Sequence, residues 1–248
     1  MARQEINPEG EAPRKMAPPR LTRVNGSGAT KLPRSRREKP GVKKEQILEV
    51  AVSHFGQVGY EETKWADVAD AVGIGPTALY HYFVSKQHCL YEIMAAGITD
   101  FKARFDVATA NQSDWSEALI SLLIINFDLS DLEVLRVRIL VAEQGLMGTH
   151  RDAPREEAAR ATARSLMRDL EFMWGAFLIR GMEQGIIPEQ DPRILTRALL
   201  GLHNSVWHWF RPGGPLGLRE VGMFYSSALL RVMGSEIVIP KERFDVIA

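Results

Sequence analysis

The chain has 248 residues, of which 45% are hydrophobic and 25% are charged, a composition typical of a globular protein with a sizeable core. Its one cysteine, Cys89, excludes an internal disulfide and favours a reducing compartment, so we expect a cytoplasmic location. The apolar run from Leu122 to Ile125 is far shorter than the roughly 20 residues that cross a bilayer. The sequence therefore excludes a membrane-spanning protein and predicts no membrane partner.

The net charge of zero hides an uneven distribution along the chain. Residues 1–44 carry 12 Lys/Arg against 4 Asp/Glu, whereas residues 45–248 carry 19 against 27. Residues 1–42 are rich in proline, glycine and arginine and have almost no apolar periodicity, so we predict a disordered basic arm. Seven cations cluster just before the first predicted helix: Lys31, Arg34, Arg36, Arg37, Lys39, Lys43 and Lys44.

The first predicted helix covers residues 43–58, and a second helix begins near Thr63. In the second helix, apolar residues recur at i, i+3, i+4 and i+7, which is the spacing of one buried helical face. Gly73 stands where a helix commonly ends in the left-handed conformation, and Gly75-Pro76 can open a third helix, since proline is tolerated in a first turn. The apolar face of the second helix consists of Trp65, Val68, Ala69 and Val72.

The third predicted helix has an inner face formed by Leu79 and Phe83. Its other side chains are small, hydroxylated or aromatic, and such a surface suits a DNA groove and phosphate oxygens. Two short helices joined by a tight glycine turn are typical of a helix-turn-helix, whose second helix enters the major groove. The outward-facing residues are Thr77, Ala78, Tyr80, His81 and Tyr82.

Residues 43–90 resemble the DNA-binding signature of TetR-family transcriptional regulators. The chain departs from the family pattern at Gly75, where serine is common, and at Thr77-Ala78, where Gly-Thr is common. The resemblance therefore implies the fold but not the operator sequence. The matching positions are Gly59, Thr63, Val68-Ala69, Gly73-Ile74, Leu79-Tyr80, Tyr82-Phe83, Ser85 and Lys86.

The resemblance implies a homodimer whose two recognition helices enter successive major grooves of a palindromic operator. We expect Tyr80 and Lys86 to contact phosphate oxygens of this double-stranded DNA. Base contacts are expected from Thr77, Ala78 and His81. The complete predicted DNA-binding set is Lys43, Lys44, Thr63, Lys64, Gly75, Pro76, Thr77, Ala78, Tyr80, His81, Tyr82 and Lys86.

The predicted DNA-binding module is itself acidic. Residues 45–90 contain Lys64 and Lys86 as their only Lys/Arg residues, against six Asp/Glu. DNA affinity depends on cations that replace counterions at phosphates, so the attraction must come from elsewhere. The basic arm is either a solvated tail, as charge runs commonly are, or a segment that lies along phosphates or the minor groove. The acidity of the module favours the second interpretation.

The remaining chain is predicted to be helical as far as residue 234, with a tail at 235–248. A long fourth helix begins at Lys86, and the resemblance implies that it links the DNA-binding module to an effector domain. We therefore predict an all-α protein, with a helix-turn-helix domain at 43–87 and a larger helical effector-binding and dimerisation domain at 88–234. Later boundaries are predicted from caps and breakers at Ser113 or Asp114, Ser130 with Glu133, Asp152 to Pro154, Gly185, Asp191-Pro192, Arg211 to Pro215, and Gly234.

The resemblance also implies that the last two long helices dimerise. Each of these helices carries an apolar stripe, although packing inside one protomer would explain such a stripe equally well. The stripes consist of Leu195, Leu199, Leu202 and Val206, followed by Val221, Phe224, Tyr225, Ala228, Leu229 and Val232.

The aromatic content of the helical domain suits a hydrophobic small-molecule effector, although core packing is the common role of each aromatic residue alone. Asn204 and His203 are candidate polar contacts within an otherwise apolar helix. The stretch from Asn204 to Gly214 resembles one in regulators of fatty-acid and steroid breakdown that respond to acyl-CoA thioesters. The predicted ligand-binding set is Phe101, Phe105, Trp115, Phe172, Met173, Phe177, Asn204 and Trp207.

The sequence contains no nucleophile elbow, phosphate-binding loop or paired-cysteine motif, so we predict no enzymatic activity and no cofactor. His203 and His208 lie on one predicted helix but face different directions, so we predict no metal site there. We expect a transcriptional repressor that a hydrophobic small molecule releases from its operator, with an acyl-CoA thioester as one candidate. The alternative is a DNA-organising protein without an effector, which no metabolite would release from DNA.

Overall fold

The computed structural model describes residues 40–110 and 112–247, and every regular element within these ranges is helical, as the sequence predicts. The predicted basic arm lies outside the described residues, apart from its last three positions. No helix of these ranges is long and apolar enough to cross a membrane. The α-helices are α1 (Pro40–Val58), α2 (Trp65–Val72), α3 (Pro76–Tyr82), α4 (Lys86–Thr109), α5 (Trp115–Ile125), α6 (Asp131–Glu143), α7 (Pro154–Glu183), α8 (Pro192–Trp209) and α9 (Leu218–Met233), and short 3₁₀ helices cover Gln144–Gly148 and Lys241–Phe244.

The turn between α2 and α3 has the geometry that the sequence predicts. Gly73 has a φ of 73°, in the left-handed region where a side chain would be strained. The Ile74 N–H donates to the Ala69 carbonyl at 3.0 Å, and the Gly73 N–H donates to the Asp70 carbonyl at 3.0 Å. This is the Schellman pattern of a helix C-terminus, and it sets the angle between the two helices of the helix-turn-helix.

Capping contacts confirm several predicted ends of the later helices. Ser130 and Glu133 form a capping box at the start of α6, in which each residue's side chain accepts from the other's backbone N–H. The Asp191 carboxylate accepts from two backbone N–H groups in the first turn of α8, and Pro192 occupies the first position of that helix. Gly234 ends α9 in the left-handed conformation, with a φ of 71°.

Two predicted helix starts are wrong. The helix α1 begins at Pro40, before the predicted Lys43, because the fixed φ of proline suits a first helical turn. The helix α2 begins at Trp65, and Thr63 does not cap it. The Thr63 hydroxyl instead donates to the Gly59 carbonyl at 2.7 Å, so it stabilises the preceding loop.

The helix-turn-helix shares its core with later helices. The apolar cluster of α1–α3 continues through Met94 of α4, Ile139 of α6 and Ala163 of α7. The described residues accordingly lie within one compact unit.

The most extensive helix pair of the described residues is α4 with α7. The helix α7 has 30 residues, which corresponds to about 45 Å of length. Beyond the first core, the two helices meet again in a second apolar cluster that contains Phe105 of α4 and Leu170 of α7. The pair therefore runs from the helix-turn-helix to the centre of the helical domain.

One close approach on α7 depends on a glycine. A Cβ built at Gly181 would lie 2.4 Å from Cζ2 of Trp115, far inside van der Waals contact. The Trp115 ring stacks on Phe177 with centroids 4.9 Å apart, and its Nε1–H donates to the Phe177 carbonyl at 2.8 Å. These contacts fix the start of α5 against α7.

The residues after α9 pack back onto the helical domain. Phe244 and Ile247 are buried in a third apolar cluster. Arg243 forms an ion pair with Glu117 of α5 at 3.0 Å. The described part of the predicted tail is therefore held against α5 and α9.

Candidate nucleic-acid interface and interior cavities

The helix α3 packs on the core through Leu79, which is fully buried, and turns most of its other side chains outward, as predicted. Tyr80 is 52% exposed, so its ring and hydroxyl are accessible to a partner. Of the residues predicted to contact DNA from this helix and its N-cap, Gly75, Pro76, Thr77, Tyr80 and His81 are exposed, whereas Ala78 and Tyr82 are half-buried.

Lys86 holds the loop before α2 in place. Its Nζ lies 4.4 Å from the centre of the Tyr60 ring and donates to the carbonyls of Tyr60 at 2.7 Å, Glu61 at 3.2 Å and Thr63 at 3.1 Å. An ammonium group has three protons, so these carbonyls occupy all of its donors. Lys86 is thus engaged inside the protein, and its contact with a phosphate stays a prediction. Thr63 is likewise engaged, since its side chain is buried and bonded within the loop.

Two more of the predicted DNA contacts have partners inside the protein. Lys43 Nζ donates to the Val72 carbonyl at 3.1 Å, at the C-terminal end of α2, where a cation is favourable. Lys44 Nζ lies 3.1 Å from Glu92 Oε1 and 5.6 Å from the centre of the Phe83 ring. Phosphate groups would compete with these internal contacts for both lysines.

Lys64 is exposed at the N-cap of α2. The residues around it include Glu61, Glu62 and Asp67, which are exposed as well. Between residues 60 and 82, four exposed carboxylates therefore stand against Lys64, the one Lys/Arg residue of that stretch. This agrees with the shortage of cations that the charge count of residues 45–90 predicts.

The first turn of α7 contacts the helix-turn-helix directly, a contact that sequence analysis missed. Arg155 Nη2 donates to the Tyr82 carbonyl at 3.0 Å, at the C-terminal end of α3. Glu156, which is buried, accepts a hydrogen bond from the hydroxyl of Ser85, the N-cap of α4. The beginning of α7 therefore joins the end of α3 to the start of α4.

Three small cavities lie inside the helical domain, with volumes of about 20, 20 and 40 Å³. All three are lined by Phe101 of α4 and His203 of α8, so they meet around these two side chains. Each has room for one or a few water molecules, since one water needs about 10–15 Å³. A drug-sized ligand needs about 300 Å³ or more, so none of these three cavities can hold one in this conformation.

The first of these, the inner cavity, has a mostly apolar wall that includes Leu123, Leu199 and Leu229, together with the polar side chains of Asn126, Trp174 and His203. His203 Nε2 accepts a hydrogen bond from Nε1 of Trp207 at 3.2 Å, so the proton of the neutral ring lies on Nδ1. Burial lowers the pKa of His203 from 6.5 to about 4, which keeps the ring neutral at pH 7.

The second, the outer cavity, lies between α4 and α6 beside two ion pairs. Arg136 Nη1 of α6 lies 2.6 Å from Asp100 Oδ2 of α4. Arg104 of α4 pairs in the same way with Glu133 of α6. These pairs connect the two helices and place two guanidinium groups at the edge of the cavity.

The predicted ligand-binding residues do not all lie at the cavities. Phe101 lines all three cavities, and Asn204 lines the largest. Phe172 is 78% exposed on the outside of α7, so the structure corrects its assignment to an interior site. The others pack within the domain: Phe105, Trp115 and Phe177 cluster with Trp174, Trp207 stacks on Phe127, and Met173 is half-buried beside the second core.

Sequence analysis missed Asn126 as a cavity residue. Its signal is a single amide within the apolar run from Leu122 to Phe127. A polar residue flanked by apolar residues is buried together with them when that side of the helix packs on the core. Asn126 is buried in this way, beside the inner and outer cavities.

The apolar stripes of α8 and α9 point mostly into the protomer. Leu195, Leu199, Val206, Val221 and Leu229 are all buried. The large apolar side chains that these two helices expose are Ile194, Trp209, Phe224 and Val232.

Replacing His203 with glutamine should reduce the loss of stability at acidic pH. Because the folded pKa of about 4 lies below the unfolded value of 6.5, the contribution of His203 is complete above pH 6.5 and is lost as the pH falls toward 4. Between pH 7 and pH 5 this loss should be about 2 kcal/mol in the unaltered protein and absent in the variant.

Urea unfolding at the two pH values and equal protein concentration measures this difference. The matched control is His208→Gln, which changes an exposed histidine of the same helix and should keep the pH dependence of the unaltered protein. A His203→Gln variant with the full pH dependence would contradict the assignment.

Two protein-family models match the chain. The model described as "Bacterial regulatory proteins, tetR family" matches residues 47–93, which include the helix-turn-helix. The model described as "Tetracyclin repressor-like, C-terminal domain" matches residues 135–233, which extend from α6 to the end of α9.

Individual relatives agree with these matches. The HTH-type transcriptional repressor KstR2 of Mycobacterium tuberculosis is 27% identical over 190 residues, which cover 75% of this chain and 90% of that protein. The solved structure of the TetR family regulator PfmR from Thermus thermophilus is 32% identical, with a TM-score of 0.63, and the match covers 75% of this chain and 97% of that chain. AibR, solved in complex with isovaleryl coenzyme A and operator DNA, has the same fold at 21% identity, with a TM-score of 0.63 over 78% of this chain and 99% of that chain. Because the family models match both the helix-turn-helix and the helical domain behind it, the chain belongs to the TetR family of transcriptional regulators.

Proposed function

We propose that this protein is a repressor that leaves its operator when an acyl-CoA thioester binds inside the helical domain. The proposal rests on one observation. The helices α4 and α7 reach both the cavities of the helical domain and the recognition helix α3. Phe101 of α4 and Trp174 of α7 line the inner cavity. The beginnings of the same two helices contact each other and the end of α3 through Ser85, Glu156 and Arg155.

Ligand entry must move these helices, because the three cavities have no room for an acyl group. A wider space between α4, α7 and α8 would change the direction of α4 and shift α3 with it. In a homodimer this shift would alter the separation of the two recognition helices on the operator. Coupling of this kind is typically about 1–3 kcal/mol, or about 5- to 150-fold in affinity.

Two features support an effector with an apolar body and an anionic end. The inner cavity offers a mostly apolar wall, and Arg104 and Arg136 stand at the edge of the outer cavity. Guanidinium groups bind phosphate oxygens through paired hydrogen bonds. AibR is described in complex with isovaleryl coenzyme A, and KstR2 as a ketosteroid transcriptional regulator. An acyl-CoA combines an apolar acyl group with phosphates.

We also propose a homodimer formed through α8 and α9. Ile194, Trp209, Phe224 and Val232 expose large apolar side chains on these two helices, and exposed apolar surface of this kind marks an interface. A two-fold axis at this interface would give the two copies of α3 the symmetry of a palindromic operator. Such a protein acts on DNA in the cytoplasm.

Decanoyl-CoA should release the protein from DNA. Fluorescence anisotropy with a labelled fragment from upstream of its own gene measures the affinity, which decanoyl-CoA should weaken by about 5- to 150-fold. Free coenzyme A at the same concentration is the control and should have no effect, because it lacks the apolar group. DNA binding that neither acyl-CoAs nor fatty acids weaken would instead support a DNA-organising protein without an effector.

The basic arm should supply much of the attraction to DNA. Replacing its last five cations with glutamine should flatten the slope of log affinity against log salt concentration by about 0.9 for each phosphate that the arm no longer neutralises. Deleting residues 1–30, which leaves these cations in place, is the control and should change the slope less. An unchanged slope in the glutamine variant would mean that the arm is a solvated tail. The five cations are Lys31, Arg34, Arg36, Arg37 and Lys39.

Replacing Lys64 should change the salt dependence of DNA binding, whereas replacing Lys86 should change the stability of the protein. Lys64→Met removes an exposed charge, so it should flatten the salt slope by about one and leave the stability unchanged. Lys86→Met removes the donor to three carbonyls, so it should lower the free energy of unfolding by about 1–3 kcal/mol. It should also weaken DNA binding equally at all salt concentrations.

Anisotropy at several salt concentrations and urea unfolding measure the two effects in each lysine variant. A flattened slope with unchanged stability in Lys86→Met would instead support Lys86 as a phosphate contact.

A further inference from the structure

Two residues that line the inner cavity each carry a buried polar atom without a hydrogen-bond partner among the described residues. Asn126, at the end of α5, and Trp174, in α7, are both 5% exposed, and both line this cavity. Within residues 40–110 and 112–247, neither Oδ1 of Asn126 nor Nε1 of Trp174 has a hydrogen-bond partner. Because an unpaired buried polar atom costs free energy, two of them beside one cavity mark a place for a polar group.

The two atoms have opposite hydrogen-bonding character. The amide oxygen of Asn126 accepts a hydrogen bond, and the indole N–H of Trp174 donates one. A hydroxyl group has both the acceptor and the donor that these atoms require, whereas a carbonyl oxygen matches Trp174 alone. The apolar wall contributed by Leu123, Leu199 and Leu229 suits the hydrocarbon that carries such a group.

We propose that the effector carries a hydroxyl group on its apolar part, and that Asn126 and Trp174 bind this hydroxyl inside the helical domain. The inference rests on the proposed function, since it requires the effector to enter this domain. The preferred ligand class is then a hydroxylated acyl group, and a saturated chain such as the decanoyl group binds more weakly. The hydroxyl accepts from the indole N–H and donates to the amide oxygen.

Such a site discriminates against analogues that lack the oxygen, because they leave both protein atoms unpaired. A purely apolar wall would have the opposite preference. There a methyl group would bind more tightly than a hydroxyl of the same size, since the hydroxyl would lose its hydrogen bonds to water. The change in the ratio of the two affinities when Asn126 and Trp174 are replaced therefore reports on these two residues.

Cyclooctanol and methylcyclooctane are suitable probes because they differ by a hydroxyl in place of a methyl group. Isothermal titration calorimetry with the full chain gives the ratio of their dissociation constants. This ratio should favour the alcohol at least tenfold more in the unaltered protein than in the Asn126→Leu/Trp174→Phe double variant. The control is Leu199→Met, which changes the same wall without a hydrogen-bonding group and should keep the ratio of the unaltered protein.

Equal ratios in the unaltered protein and the double variant would overturn the inference, since a permanently bound water would then satisfy the two atoms. This outcome leaves the proposed function in place if decanoyl-CoA still releases the protein from DNA. Failure of the unaltered protein to bind either probe would also count against the inference.

A second measurement needs no ligand. Asn126→Leu replaces the amide by an apolar group of similar size, so the variant should melt at or above the temperature of the unaltered protein. A lower melting temperature would mean that the amide has a partner inside the protein, and the inference would fail.

Discussion

The packing of α4 against α7 is the contact on which both parts of the protein depend. The helix α4 is buried along most of its length, with Cys89 in the core of the helix-turn-helix and Phe105 in the second core. The helix α7 packs along α4, with Ala163 in the first core and Phe177 in the second. Because close-packed interiors resist local deformation, a displacement of this pair at one core must alter the packing at the other.

Polar contacts restrict α4 both at its start and further along its length. The first turn of α7 holds the start of α4 and the end of α3 through Glu156 and Arg155. Further along, Arg136 and Asp100 connect α4 to α6 at the edge of the outer cavity. In the proposed function, an anionic effector that took the guanidinium of Arg136 from Asp100 would remove one of the two ion pairs that connect α4 to α6. Ligand binding and helix movement would then be coupled.

The helix-turn-helix uses most of its own cations, though not Lys64, for contacts inside the protein. Lys86 closes the loop before α2, Lys43 lies at the end of α2, and Lys44 pairs with Glu92. The exposed surface of α3 consequently offers shape, hydroxyl groups and aromatic rings instead of charge. In the proposed function, α3 selects the operator, and the attraction to phosphates comes from the basic arm.

The sequence by itself determined the features that depend on neighbours a few positions apart. Such features include the left-handed turn at Gly73, the capping box at Ser130 and the apolar face that buries Leu79. Each depends on hydrogen bonds or side-chain spacing within about two helical turns, which a linear pattern records. The all-α class and the position of the helix-turn-helix follow from many such signals.

Only the tertiary structure decided what lies opposite each face. A helical stripe shows that a side is buried but does not identify its partner, so Phe172 was assigned to the interior although it is exposed. The roles of Lys86, Arg155 and Asn126 depend on carbonyls, helix ends and cavities built by other segments of the chain. Such contacts arise when whole helices pack, and the spacing of residues within one helix carries no information about them.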